Sequence, residues 1–588
     1  MSKAARYAID LGTTNTVIAE ASKNIVKLIE SKVVPIQQRT DEYNNERKEY
    51  LSSTLFFDQN GSVIVGEYAK NMKGSQPDRI LYNTKLKMGT DATWRMTDKD
   101  FTAKQSAAEI LKVCRQTIET RLRHEKTLPA ITITVPASFN IDQINDTIDS
   151  AVQAGFDYNK ITILDEPTAA IIEFVNSQVN LATSHREIDF SEKKRILVFD
   201  LGGGTCDVCV VDVVLLDSVE GKIDIEQIKV GRYNEFGGSH FDVKCATDLF
   251  NAICREKGIE ESELDKKVKD RMLHLLVKFS EEAKEWFSQE LEYSDREDVP
   301  PYKKNIPLFK NEMFPVTIDV KTYDKYTEDL YIKKRSKFSR DRLSIEEVIK
   351  HTIYEGKIET STIDYVFLTG GMAQYPKVEE VVKSLIQKPV IRPNEMMSAV
   401  ARGAAISMFY EHDVKQIPSD PYIIDSKSDI DYEALEREEA KSTASVQEQE
   451  ASDSLSFDRG LKLNTKLAEA IMIDVDDNLP LEIVPSNTTL PFNKIYPNSF
   501  TVASPSAIRL DLFAGKNNMD SEMRIQRSYM KILDKPVKIG TPIDIEVSID
   551  KNKYLKLSVQ IKDSFHEPIV LDVTSDAKEE EGEVSGVK

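Results

Sequence analysis

Three glycine-centred segments stand, in order along the chain, where an apolar strand runs into a turn: Ile9-Asp10-Leu11-Gly12-Thr13-Thr14-Asn15, Phe199-Asp200-Leu201-Gly202-Gly203-Gly204-Thr205 and Leu368-Thr369-Gly370-Gly371. Such a strand end delivers a carboxylate or a bare turn to one point, and glycine lets main-chain N–H groups approach phosphate with no Cβ in the way. The chemistry this permits is phosphoryl transfer from a nucleotide, which needs a hard cation, donors around the terminal phosphate and an oriented water. Asp10 and Asp200 suit Mg²⁺, held largely through its waters because that ion dehydrates reluctantly. Gly12, Thr13, Thr14, Gly202, Gly203, Gly204 and Thr205 offer amides and hydroxyls to the phosphates, with Gly370 and Gly371 as a third turn. Asp207, two residues beyond Thr205, is a further carboxylate for the metal or the attacking water. Any one segment reads equally well as an ordinary turn with a capping aspartate. Recurrence of strand-Asp-x-Gly predicts two similar lobes facing each other across a cleft.

The chain that must position these residues has 588 of them, enough for about four domain-sized units. Its formal charge of −20 disfavours nucleic acid and anionic lipid as partners. Met-Ser-Lys-Ala-Ala-Arg leads straight into a strand, and no window approaches the ~20 apolar residues of a membrane span. A soluble, cytoplasmic protein is the expectation. The five cysteines are scattered, and Cys206 and Cys209, though spaced C-x-x-C, sit in an alternating strand that sends them to opposite faces. They read as small buried thiols, not as a zinc or redox pair.

Strand and helix patterns alternate through the first part of the chain. Ile131–Val135 and Ile161–Leu164 read as strands, with helical spacing over 107–123, 142–154, 265–286 and 377–386. Such alternation predicts a layered α/β domain over 1–410. The stretch 295–342, rich in Pro, Tyr and Lys, reads as a mixed subdomain with one strand near 314–320. Residues 411–464 are dominated by Ser, Asp, Glu, Gln and Ala and read as an acidic polar linker, with one short helical stretch near 432–441. Short alternating strands follow at 470–475, 481–484, 499–502, 507–513, 543–549 and 554–561. They predict a small antiparallel β-sandwich domain over 465–565, and 566–588 reads as an acidic tail.

Taken together, the motifs resemble the seventy-kilodalton heat-shock chaperones, a branch of the actin-like ATPases. The resemblance rests on the segment from Ile9 to Asn15, on Val65-Gly66-Glu67-Tyr68-Ala69-Lys70-Asn71 and Ile133-Thr134-Val135-Pro136-Ala137-Ser138-Phe139-Asn140, on Asp165-Glu166-Pro167-Thr168-Ala169-Ala170 and the segment from Val198 to Asp207, on Phe236-Gly237-Gly238-Ser239-His240-Phe241-Asp242, on Leu368 to Gly371 with Pro376, and on Arg402-Gly403-Ala404-Ala405. It implies a two-lobed actin-like ATPase domain followed by the β-sandwich, with ATP or ADP and Mg²⁺ as cofactors. It further implies that Lys70 orients the water and γ-phosphate, that Glu166 and Asp207 act on that water or its cation shell, and that Gly237, Gly238 and Gly371 lie along the nucleotide. Glu281, Lys284 and Ser288, at helical spacing on one face, match the adenosine pocket. In the β region, Val484 to Pro491, Phe500 and Ile508 to Leu512 match the peptide-binding domain. Phe500, Ile508 and Leu510 are the candidates for an apolar cleft that takes an extended client, with ordinary sandwich core as the equal alternative.

The departures from the family pattern concern coupling more than hydrolysis. The sequence ends short of the helical lid of typical members, so easy peptide release is expected, and the linker is acidic where the family has leucines. Ile144 and Thr162 stand where arginines commonly serve interdomain contact and J-domain docking. Met372, Gln374 and Glu285 differ around adenine, and Asp476 falls where the cleft has an apolar arch residue. The function implied is an ATP-hydrolysing chaperone for extended polypeptides, specialised in its client, working with a J-domain co-chaperone and an exchange factor. Two alternatives stay open: an ATP-gated adaptor or scaffold with little turnover, and a small-molecule kinase built on the same clamp.

Overall fold

Two sheets of matching design form the body of the chain. The computed structural model describes residues 5–572 except 25–27, 98, 123–127, 182, 218–221, 232–234, 310–311, 334–342, 413–458, 474–479, 516–523 and 563–565. In the first sheet the strands run in the order Ile161–Asp165, Ile131–Val135, Arg6–Leu11, Asn15–Lys23, Ile29–Val33. Arg6–Leu11 pairs in parallel with Ile131–Val135 and antiparallel with Asn15–Lys23. In the second sheet the order is Val390–Ile391, Tyr365–Thr369, Lys194–Leu201, Cys206–Asp217, Lys222–Val230. Lys194–Leu201 again pairs in parallel with its inner neighbour and antiparallel with the strand that follows it. The hairpins are antiparallel because a short Gly-rich turn joins them; the parallel neighbours arrive through helical crossovers.

Helices cover the faces. In the strand Cys206–Asp217, Cys206, Val208 and Val210 enter one core and Cys209, Val211 and Val213 the other, so the two thiols part to opposite faces as their alternation predicts. All five cysteines are free and buried. The helix Ala399–Ser407 packs across Glu166–Asn180 and buries Ala401, Ala404 and Ala405 beneath both lobes. The long helix Lys266–Tyr293 and the hairpin of Tyr302–Phe309 with Glu312–Ile318 complete the second lobe. Among the described residues no helix is long and apolar enough to cross a membrane.

Beyond the lobes stand two four-stranded antiparallel sheets. One is ordered Leu481–Val484, Ala470–Ile473, Ala507–Gly515, Arg524–Ile532, the other Phe492–Thr501, Pro542–Ile549, Leu555–Ile561, Ile569–Asp572. They share one apolar core, and Ile141 from the first lobe enters it. Three features differ from expectation. Arg459–Asn464, placed in the linker by its surroundings, is a strand that adds in parallel to Lys222–Val230, with Leu461 opposite Ile223 and Leu463 opposite Ile225. Tyr410–His412 pairs on its far side. Leu463 packs against the core beneath this sheet. Strand Arg524–Ile532 went unforeseen, and Ile569–Asp572 extends the β unit past residue 565. The helical stretch near 432–441 and Asp476 lie outside the described residues.

Ile508 and Leu510, for which peptide cleft and sandwich core stood as equal alternatives, are 4 % and 6 % exposed inside the shared core, and Phe500 packs half-buried against it. As the two sheets stand, Ile508 and Leu510 are packing residues. The alternation that places a side chain on a sheet's inner face does not say whether that face meets a ligand or the opposite sheet.

Candidate functional site

Register brings the two key aspartates to equivalent positions. Asp10 lies opposite Thr134 on its parallel neighbour, and Asp200 lies opposite Thr369 on its own. Between the lobes opens a cavity of about 400 Å³. Its walls include Asp10, Gly12, Thr13, Thr14, Glu166, Asp200, Gly202, Gly203, Thr205, Gly238, Gly370 and Gly371, together with Lys70, Glu281, Lys284 and Ser288. Sixteen expected positions thus meet at one place. Gly204, Gly237 and Asp207 stand just behind the wall. A Cβ on Gly204 would lie 2.5 Å from Thr13 Cγ2, and the Gly238 and Ser239 amides donate to the Gly202 and Gly203 carbonyls at 2.9 and 2.7 Å. Asp207 faces Asp200 across the hairpin and accepts from the Ser138 hydroxyl. Gly370, at φ +90°, shows why this turn excludes a side chain: a Cβ there would sit 2.4 Å from Asp200 Oδ1 and 2.5 Å from the Leu201 carbonyl oxygen.

The charges explain what the cavity is built to take. Glu166, Asp200 and Asp207 are buried and Asp10 is partly so, and the ammonium among them, within the described residues, is that of Lys85, whose Nζ donates to Glu166 Oε1 at 2.8 Å and lies over the Phe139 ring. Burial first, and then repulsion from Glu166, pushes Asp10 and Asp207 each up to about 7. Asp200 is pushed well above the usual carboxylate range by burial and by Glu166, Asp207 and Asp10. Four carboxyls against one ammonium is a surplus of negative charge that a divalent cation relieves. Among the described residues no three His, Cys, Asp or Glu side chains converge to cage an ion directly. Oxygen donors of this kind, carboxylates beside backbone and hydroxyl groups, are the chemistry a hard divalent cation takes, and Asp10 and Asp200 are the residues that would hold it. The two lobes are not identical here: Asp10 Oδ1 accepts from Thr134 Oγ1 at 2.9 Å, whereas the buried Thr369 hydroxyl has no partner among the described residues.

Lys85 has no signal in the sequence pattern, and Lys70 stands on the cavity wall as expected but with its ammonium engaged by carboxylates. Lys70 Nζ pairs across the cleft with Glu281 at 2.9 Å and stands 3.8 Å from Glu285. To reach a terminal phosphate it would have to leave them. On the same helix Lys284 pairs with Asp242 at 2.7 Å and reaches the Gly238 carbonyl, while Ser288 donates back to the Lys284 carbonyl. Burial alone would raise the Glu281 carboxyl, but Lys70, Lys73 and Lys284 outweigh it and hold it down to about 2. With the folded value below the unfolded one of about 4.3, its stabilisation is full above that pH and is lost as pH falls toward 2. Urea unfolding at a series of pH values should accordingly show a shallower loss of stability between about pH 4 and 2 in Glu281→Gln than in the parent, by up to about one proton. Equal slopes would contradict the pairing.

Comparison with known sequences bears on this geometry. A family model described as Hsp70 protein matches residues 91–409. Similar curated proteins include Chaperone protein DnaK of Thermotoga petrophila and of Thermotoga maritima, each 29% identical over 403 residues. Chaperone protein DnaK of Thermosipho africanus is 29% identical over 400 residues. Each alignment takes in 68% of this chain and 58% of the relative, so the chain spans less than two thirds of the length of the relatives it matches.

Proposed function

Because this chain belongs to the Hsp70 family, matched over residues 91–409 of its 588, we propose that it is an ATP-dependent chaperone that hydrolyses ATP to ADP and phosphate to control its hold on extended polypeptide segments. The observation that carries the reading is the pair of aspartates, Asp10 and Asp200, at equivalent register positions of two equivalent sheets and on the wall of one cavity. In this reading residues 1–410 form an actin-like ATPase domain and 465–565 a β-sandwich peptide-binding domain.

Each part of the clamp then has a role. Asp10 and Asp200 would hold Mg²⁺, which would supply charge stabilisation to the β- and γ-phosphates. The turns at Gly12–Thr14 and Gly202–Thr205 donate amides and hydroxyls to those phosphates, and Glu281, Lys284 and Ser288 receive the nucleoside. Lys85 offsets the Glu166 charge in the structure as it stands, and Glu166 turns from Lys85 to the attacking water beside Asp207 when ATP is bound. On ATP entry Lys70 exchanges Glu281 for the terminal phosphate. The polypeptide client, a J-domain co-chaperone and an exchange factor are the partners this reading requires.

Single-turnover ATP hydrolysis by the whole chain, with and without an extended apolar peptide, tests it. Hydrolysis that requires Mg²⁺ and is accelerated by peptide is the expected result. Tight ATP binding with negligible turnover would favour an ATP-gated adaptor, and failure to bind ATP would overturn the proposal.

A further inference from the structure

One imidazole braces the second glycine turn of the cavity from behind. His240 is the third residue of the helix Gly238–Lys257, and its Nδ1 accepts from the Gly237 amide at 3.1 Å, while the His240 amide donates to the Gly237 carbonyl at 2.9 Å. This is a cap in which a side chain reaches back to an amide that the start of a helix leaves free. Gly237 is in turn wedged against the segment 202–204: a Cβ on it would lie 2.7 Å from the Gly204 amide nitrogen and 2.8 Å from the Gly202 carbonyl oxygen. The next two amides, of Gly238 and Ser239, donate to the Gly202 and Gly203 carbonyls at 2.9 and 2.7 Å. Gly202, Gly203, Gly238 and Ser239 all stand on the cavity wall, whereas His240 lies behind it with its ring 6.0 Å from that of the buried Phe236. One side-chain acceptor therefore anchors the residue against which the turn is packed.

An imidazole accepts at Nδ1 only while that nitrogen is bare, so the cap requires the neutral ring with its proton on Nε2. A protonated ring has no lone pair to offer there and sets a positive charge at the positive end of a helix. We propose that His240 is a positioning residue for the phosphate end of the cavity and makes its grip on nucleotide depend on pH: the neutral ring caps Gly237 and steadies the turn at 202–204, and the protonated ring releases both. Burial holds the ring below the ordinary imidazole range, against the opposing pull of Glu235 and the Gly237 backbone. Glu235 is itself paired with Lys87 of the first lobe at 3.1 Å, and Lys244, one turn further along the helix, is held by Asp248. With the folded value below the unfolded one of about 6.5, the contribution of the neutral ring is whole above that pH and declines as pH falls beneath it. The effect on nucleotide deepens, and rests on, the reading of the cavity as an ATP site; the cap itself does not.

Two variants of the full chain test this. His240→Gln keeps a neutral acceptor at the same helix position, and His240→Leu removes it. At about pH 8, ATP affinity with Mg²⁺ present should agree within about twofold between the parent and His240→Gln, and be about fivefold or more weaker in His240→Leu, the usual worth of a helix cap. At about pH 5.5 the parent should fall about fivefold or more below His240→Gln. The raised carboxyls of Asp10, Asp200 and Asp207 titrate in all three proteins, so the difference between proteins at one pH carries the result. A second readout needs no nucleotide: amide exchange over 236–241, relative to the unstructured rate at each pH, should match in the parent and His240→Gln at the higher pH and be faster in the parent at the lower. Where His240→Leu proves poorly folded, the parent and His240→Gln alone decide. Exchange that separates them in this way, with no ATP bound at any pH, would sink the ATP reading and keep the cap. Equal exchange at the lower pH, or a parent that there binds ATP as well as His240→Gln or better, would overturn the proposal.

Discussion

Replacing Asp200 with asparagine should slow single-turnover ATP hydrolysis about 100- to 1000-fold, the usual loss when a preorganised group at the transferred phosphoryl is removed. The substitution is close to isosteric, so it leaves no cavity in a residue that is 6 % exposed. Stability of the unliganded protein should be maintained or rise, because the carboxylate sits among Glu166, Asp207 and Asp10, which together with burial oppose its charge. The combination discriminates between causes: an aspartate serving as a turn former would lose stability and leave chemistry alone, whereas one serving the cation does the reverse. Asp10→Asn should behave in the same way, tempered by the hydroxyl of Thr134, which still has a partner in the amide. Rapid-quench measurement of ³²P release alongside urea unfolding checks both, and a rate within fivefold of the parent would remove Asp200 from the machinery.

That these two carboxylates were legible in sequence, and the ammonium beside them was not, has a physical cause. A strand that ends in Asp-x-Gly advertises its position through β-branched alternation and a glycine turn, and its repetition sets the pairing of the lobes. Lys85 sits in the short turn Thr84–Lys87, in a Thr-Lys-Leu-Lys run with no periodicity, and only tertiary packing turns that lysine inward and Lys87 outward. A charged residue in such a run is a solvated one by default. Lys70 was found, yet its partner Glu281 lies more than two hundred residues away and belongs to the other lobe. In the β unit the alternation at Ala507–Gly515 correctly marked a strand but left Ile508 and Leu510 undecided between cleft and core. Arg524–Ile532 was missed because its charged residues break the apolar pattern, and Arg459–Asn464 because its composition was averaged with that of a polar neighbourhood.

The largest structural effect is expected at Gly403. The helix Ala399–Ser407 crosses Glu166–Asn180 so closely that a Cβ on Gly403 would lie 1.8 Å from the Ala169 carbonyl oxygen, 2.6 Å from its carbon and 3.1 Å from the Glu173 amide nitrogen. These are backbone atoms and have no rotamer to yield. Gly403→Val must drive the helices apart, open the packing of Ala401, Ala404 and Ala405, and disturb the neighbouring pair of Arg402 with Glu173, 3.1 Å apart. A loss of about 3–5 kcal/mol is expected, at the upper end of single-residue effects and enough to abolish folding of a marginal domain. Because Glu166 opens the helix being displaced, nucleotide binding should fall with it. Gly258→Ala is the matching control: its φ is +65°, but its Cβ would meet nothing within 4 Å, so only about 1 kcal/mol of backbone strain is expected. Denaturant unfolding of both variants measures the difference, and equal losses would mean that the helix crossing tolerates a side chain.

In the proposed function two equivalent sheets present Asp10 and Asp200 to one cation on one nucleotide. A crystal of the full chain grown with ADP and Mn²⁺ in place of Mg²⁺ tests it most directly, since anomalous scattering locates the ion independently of any assumed chemistry. The expected result is a single strong peak between the two strand ends, bridged by water to both carboxylates and touching the diphosphate, with the nucleoside against Glu281, Lys284 and Ser288. An ion bound elsewhere, or a nucleotide seated outside the cavity between the lobes, would contradict it.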